Sequence, residues 1–156
     1  MKLALGLFLA FAPAPEGDGV SVRVTVANFY KTADGKLWSS GSWEITRAKG
    51  DPVAAVRWVL EPQAKGTAKR DWKGEMSLQN LDQALADLKK KGLFTAKDSQ
   101  PCLCDAPQFK MTAKEGKTEH AFKFGHGHGD HDQEQKALVD GFLKLVEEHV
   151  TESSGK

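Results

Sequence analysis

Two short segments carry the most reactive side chains of this sequence: Cys102-Leu103-Cys104-Asp105 and His126-Gly127-His128-Gly129-Asp130-His131-Asp132. Neutral imidazole and thiolate are good ligands for zinc, copper or nickel, and carboxylate adds a harder donor. Alternate histidines reach one ion only if the main chain bends between them, which Gly125, Gly127 and Gly129 permit. His126, His128 and His131, assisted by Cys102, Cys104 or Asp130, therefore form a candidate metal site. The same letters also suit a polar loop in which Asp132 caps a helix and the histidines are merely solvated. The cysteines allow a further chemistry. A Cys-x-Cys disulfide closes a small strained ring and is easily reduced, so redox lability stands beside metal binding and a structural staple.

A β-hairpin is the element that must bring the two segments together. Residues 108–113 and 118–124 alternate in polarity around Lys114-Glu115-Gly116-Lys117. A turn centred on Glu115-Gly116 sets Phe109 opposite Phe122, Met111 opposite His120 and Asp105 opposite His126. Phe109, Met111, Phe122 and Phe124 then share the buried face, with His120 half-buried at its edge. Cys102 and Cys104 carry the other parity from His126 and His128, so joint ligation requires the mouth of the hairpin to twist.

Elsewhere the periodicity predicts a mostly β amino-terminal half. Val20, Val22, Val24 and Val26 alternate with polar residues as in a half-buried strand, Asp34-Gly35 supplies a turn, and residues 37–47 return with Trp43 and Ile45 on one face. Gly41 is expected to mark a bulge or bend. Residues 51–60 are ambiguous: Asp51-Pro52 starts a helix well, while Val56, Trp58 and Leu60 alternate as in a strand, which is the favoured reading. A turn at residues 63–66 sends residues 68–76 back. Trp38, Trp43, Trp58 and Trp72 all fall in this half, as core and cross-strand packing or as a sugar-stacking platform. Ser77 caps a helix striped with Leu78, Leu81, Leu85 and Leu88 and closed by Lys89-Lys90-Lys91-Gly92. A second helix follows Asp132, with Leu138, Phe142, Leu145, Val146 and His149 inward, His149 as a packing residue.

The resulting fold class is α+β: one antiparallel sheet, flat or curved, with both amphipathic helices on one face, in the order β-β-β(-β)-α-β-β-α. The 156 residues suit one domain over 20–150, followed by a frayed tail at 151–156. With 22 Lys+Arg against 21 Asp+Glu the net charge is +1, which gives no field for nucleic acid or an anionic membrane. Met1-Lys2 and the apolar run Leu3 to Ala12 read as a signal peptide over 1–14, too short to span a bilayer, so the protein is expected in the periplasm or secreted.

Two family resemblances bear on function. His126-x-His128-x-Asp130-His131 resembles the H-x-H-x-D-H signature of the metallo-β-lactamase superfamily, in which the first His pair binds one metal and the Asp-His pair a second. That family requires a longer αββα fold and further ligands well downstream. Only 25 residues follow His131, with Asp132, Asp140 and His149 at unsuitable distances, so the match is read as chance and no hydrolase is expected. The run from Leu93-Phe94 through Asp105-Ala106-Pro107-Gln108-Phe109-Lys110-Met111, with its strand, Gly turn, return strand and closing helix, resembles the emfourin-like domains over residues 77–150. These are small bacterial α+β proteins, some of which inhibit thermolysin-type metalloproteases, so the resemblance implies a protein partner. The histidine-rich loop and the cysteine pair are not part of that pattern. The chain carries no G-x-S-x-G, H-E-x-x-H, phosphate-cradling glycine loop or dinucleotide fingerprint. The expectation is an exported, non-enzymatic binding protein for a transition metal, with a protease-inhibitor module as the alternative.

Overall fold

Valines at every second position from Val20 to Val26 give strand β1 (Val20–Lys31) one continuous apolar face, and all four are buried. The structure is a computed structural model that describes residues 19–32, 35–63, 65–99, 107–125 and 133–152. After β1 come β2 (Leu37–Arg47), β3 (Val53–Pro62), β4 (Arg70–Ser77), α1 (Leu78–Lys90), β5 (Gln108–Glu115), β6 (Thr118–Gly125), α2 (Gln133–Glu148) and β7 (Thr151–Glu152). The strands form one antiparallel sheet in the order β6-β5-β1-β2-β3-β4-β7. The architecture is thus α+β, with the sheet predominating. Residues 53–62 are a strand: the alternation of Val56, Trp58 and Leu60 prevails over the Asp-Pro start, because β3 is paired along its length by both β2 and β4.

Two helices carry the chain across this sheet. From β4 to β5 there are four strand spacings, about 19 Å, and the 13 residues of α1 span about 20 Å. The end of α1 reaches β5, where Lys89 Nζ pairs with Glu115 at 2.6 Å. Ser77 Oγ caps the helix by accepting from the Asn80 amide. At the other end the Leu93 amide donates to Leu88 O and the Gly92 amide to Lys89 O, a Schellman motif with Gly92 at φ +99°. Leu81, Leu85 and Leu88 of α1 and Leu138, Val139, Phe142, Leu143 and Val146 of α2 join the buried cluster built on the Val20–Val26 face. Among the described residues, no helix is long and apolar enough to cross a membrane.

Trp43, Trp58 and Trp72 occupy one register row across β2, β3 and β4 and stack, with ring centroids 5.9 and 4.1 Å apart. The Arg70 guanidinium lies over Trp38 and Trp72, which are both buried. Gly41 does not mark a bulge. It pairs regularly with Val26, and the irregularities lie between Ala27 and Tyr30 and between Trp38 and Ser40. A Cβ at Gly41 would stand 2.9 Å from both Leu60 and the Trp43 ring, so this position is small to admit the indole. On the opposite face Arg57 grips Asp71 through two hydrogen bonds of 3.0 and 2.7 Å, which hold the Asp71 carboxyl below its ordinary pKa and raise that of Arg57.

Two further expectations need correction. The hairpin turn is Gly116-Lys117, not Glu115-Gly116: Glu115 pairs with Thr118, Met111 with Phe122 and Phe109 with Phe124, while His120 faces Ala113. Two-residue hairpin turns of the primed types need φ > 0 at their first central residue, and Gly116 takes it at +59° where Glu115 would be strained. The shift is by two residues, so facing is preserved: Phe109, Met111, Phe122 and Phe124 are buried and His120 is half-buried. The segment 151–156 does not fray from its start, since Thr151 and Glu152 pair with Lys73 and Trp72; residues 153–156 lie outside the described residues, as do 1–18 with the expected signal.

Gly74 makes that last pairing possible. Its Cα faces the main chain of His149, and a Cβ there would collide with the His149 carbonyl. Replacing Gly74 by Ala should therefore destabilise the fold by about 2 kcal/mol or more, outweighing Gly-to-Ala gains in chain entropy, as urea denaturation would show; an unchanged midpoint would contradict the close approach. A second expectation concerns Glu147, whose Oε1 accepts from the buried Trp43 indole at 3.2 Å. Shielding from water pushes the Glu147 carboxyl above its ordinary pKa, and the indole hydrogen bond offsets this only in part. The folded state therefore holds this proton more tightly than the unfolded chain, and the contribution of Glu147 to stability falls as pH rises through the carboxylate range. The stability difference between Glu147→Gln and the parent should grow from about pH 4 to pH 7, and a constant difference would refute it.

Candidate functional site

All six expected ligands, Cys102, Cys104, His126, His128, Asp130 and His131, lie outside the described residues, within 100–106 and 126–132. The structure does place the four points from which those two segments leave. Segment 96–99, which precedes the first, runs beside β6. The Ser99 amide donates to Lys123 O at 2.9 Å, the Lys123 amide to Asp98 Oδ1 at 2.7 Å, and the Gly125 amide to Ser99 Oγ at 3.1 Å. The first segment rejoins the sheet at Pro107, beside Gln108, and Gln108 is paired directly with Gly125. Gly125 begins the second segment, which ends at Gln133 on α2. Gln135, in the first turn of that helix, donates its Nε2 to Lys97 O at 3.2 Å.

Ser99, Pro107 and Gly125 therefore meet at one corner of the sheet, and the Gln135–Lys97 contact brings the start of α2, where the second segment ends, to the same corner. Local sequence explains each anchor. Asp98 and Ser99 are short side chains that bond nearby main chain readily, and here they satisfy the outward amides of β6, which is an edge strand. His120 adds a tie from the apolar side, its Nε2 lying 2.6 Å from Ala96 O. At the far end of α2, His149 turns Nδ1 to Leu145 O at 2.9 Å, a helix-end contact and not a ligand geometry. Among the described residues, no group of three or more His, Cys, Asp or Glu side chains could hold a metal ion. The Oε1 of Gln135 is buried at this corner with no partner among the described residues, and a buried amide oxygen is normally given a donor.

On the outer face of the same corner lies an open cavity of about 340 Å³, lined by Thr25, Val26, Ala27, Gln108, Phe109, Lys110 and Lys123. The letters alone do not mark it, because lysines in an alternating strand look like ordinary solvated positions. The signal that finds it is register: Lys110 and Lys123 are direct cross-strand partners.

No known protein family matches the chain, and no curated protein does.

The anchoring of segment 96–99 has a measurable consequence. In the double variant Asp98→Ala, Ser99→Ala, hydrogen exchange at the Lys123 and Gly125 amides should quicken about fivefold, as expected for losing roughly 1 kcal/mol of hydrogen bonding, while amides in the β1–β2 ladder keep their protection. Unchanged exchange at both amides would show that this segment is held by other means.

Proposed function

We propose that the protein is a small exported binding protein, not an enzyme, that holds a transition metal ion where segments 100–106 and 126–132 leave the sheet. His126, His128 and His131 supply imidazoles, and Cys102, Cys104 or Asp130 completes the donor set for zinc, copper or nickel. The supporting observation is the meeting of the four anchor points. Partners across an antiparallel pair stand about 5 Å apart, and chain length limits what can be reached from them. Cys104 is four residues from Gln108, at most about 14 Å, and His128 is three from Gly125, at most about 11 Å. His131, two residues before Gln133, is tied from the other side. Soft and borderline donors are thus held by their tethers within reach of one ion. Closing two short loops anchored at both ends costs little further chain entropy, because that cost grows only slowly with length and the ends are already fixed.

Isothermal titration of untagged protein with copper, nickel and zinc tests the reading, paired with elemental analysis of material from its own host. One ion should bind saturably. At a free concentration a hundred times Kd, the ion should add about 2.7 kcal/mol of stability, a rise in Tm of about 5–10 °C. His126→Ala with His128→Ala should remove binding while leaving the Tm of metal-free protein unchanged. Equal affinity in that double variant would end the proposal. A protease inhibitor would instead slow a thermolysin-type enzyme with no added metal, which this reading does not expect.

A further inference from the structure

We propose that the cavity on the outer face of β1, β5 and β6 is an anion site that receives the phosphate group of a small organic phosphate, with Lys110 and Lys123 as its principal donors. This site is formed by described residues alone and is independent of the proposed metal site. Register places Lys123, Lys110, Thr25 and Ser42 side by side in one outward-facing row across β6, β5, β1 and β2. The next row toward the corner is Gly125, Gln108, Ala27 and Ser40. These eight positions hold two ammonium groups, three hydroxyls, one carboxamide and no carboxylate.

Carboxylates nearby are committed elsewhere. Glu44 is bonded to Arg23 at 2.6 Å, Glu61 to Lys69 at 2.7 Å, and Asp98 accepts from the Lys123 main-chain amide at the strand edge. Among the described residues neither Lys110 nor Lys123 has an ion pair. Two like charges directly opposite one another on adjacent strands oppose folding; Arg57 also faces Lys73 on this side of the sheet, but there the Asp71 carboxylate is bonded to the Arg57 guanidinium. Between Lys110 and Lys123 no carboxylate of the described residues intervenes, and a cavity opens there between the two strands and β1.

The chemistry of the lining selects the ligand. Each ammonium offers three donors, and the Thr25 hydroxyl and Gln108 carboxamide add neutral ones, which suits a group with several acceptor oxygens and more than one negative charge. The small Ala27 leaves the floor open on one side. At about 340 Å³ the space falls at the lower end of the range for small-molecule sites, enough for a phosphate carrying a short organic group. A bound dianion would sit between the two ammonium groups and convert their repulsion into attraction.

The test is a two-dimensional NMR titration of the full chain with inorganic phosphate at constant ionic strength. The expected result is a saturable shift confined to the amides of residues 25–27, 108–110 and 123. Lys110→Gln and Lys123→Gln should each weaken binding at least tenfold. Lys114→Gln, on the same face of β5 but outside the cavity, should leave it unchanged. Lys110→Glu turns the repulsion into an ion pair, so it should abolish binding and raise Tm by about 1–4 °C, a direction that a folding defect cannot mimic. The proposal is overturned by shifts that do not saturate, by shifts spread over all lysine-bearing strands, by equal affinity in the Lys110→Gln, Lys123→Gln double variant, or by a fall in Tm for Lys110→Glu.

Discussion

The pairing of β1 with β5 is the interaction on which the rest of this molecule depends. β1 finds β2 through a short local turn, but its other edge is filled by a strand from roughly 90 residues further along the chain. Val22, Val24 and Val26 then stand between Ile45, Trp43 and Gly41 on one side and Ala113, Met111 and Phe109 on the other. Eight consecutive register pairs fix the β5–β6 hairpin against the first four strands, and the Gly116 amide clips the turn to Gly19 O at 3.0 Å. Apolar burial supplies most of the driving force: Val24, Trp43 and Met111 are all at most 1% exposed. A slip of this ladder by one residue would turn Phe109 and Met111 to solvent and Lys110 into the core, which is why the register is strongly specified.

The helices follow from that pairing. Once β5 must lie beside β1 while β4 lies on the far side of β3, the connection has to cross the sheet, and a straight helix of α1's length is the shortest hydrogen-bonded way to do so. α2 makes the return journey from the β6 side, and its last residues meet β4 where Gly74 clears a path for the His149 main chain. Both crossings lay apolar stripes on the valine face, so the connections and the core are the same residues. The stacked row of Trp43, Trp58 and Trp72 fills the part of this layer nearest β4, and Glu147 reaches the first of these rings from α2.

How much of this can be read from the letters depends on the range of the interaction concerned. Alternation at Val20 to Val26, the Leu81–Leu85–Leu88 stripe, the Ser77 cap and the Lys-rich close before Gly92 are local patterns, and each element appears where its pattern lies. The facing of Phe109, Met111, Phe122 and Phe124 is also local and survives a mistaken turn, because a shift by two preserves parity. Parity does not fix the turn itself: centring it on Glu115-Gly116 puts the glycine second, whereas the primed turns demand freedom at the first central position. What no local pattern carries is which strand pairs across β1, why residue 74 must lack a side chain, or that Asp98 and Ser99 serve the edge of β6. Those are facts about residues far apart in the chain. The candidate ligands were legible by type and spacing, while the convergence of their anchors depends on non-local pairing.

That convergence gives β6 two duties. The main chain of Lys123 holds segment 96–99 through its amide and carbonyl, while its side chain lines the cavity on the outer face. Gln108 is similarly placed, paired to Gly125 by its main chain and open to the cavity by its side chain. A strand is stiff along its ladder but can twist at its edge, so any ligand that draws Lys123 toward Lys110 acts on the same residue that fixes the start of segment 100–106. Any coupling between the two proposed sites would be reciprocal: whatever factor an anion imposed on metal affinity, the metal would impose on the anion. The sign of that coupling is set by charge as well as geometry. A cation at the corner favours a neighbouring anion, and the effect weakens as salt shortens the range over which the two are felt.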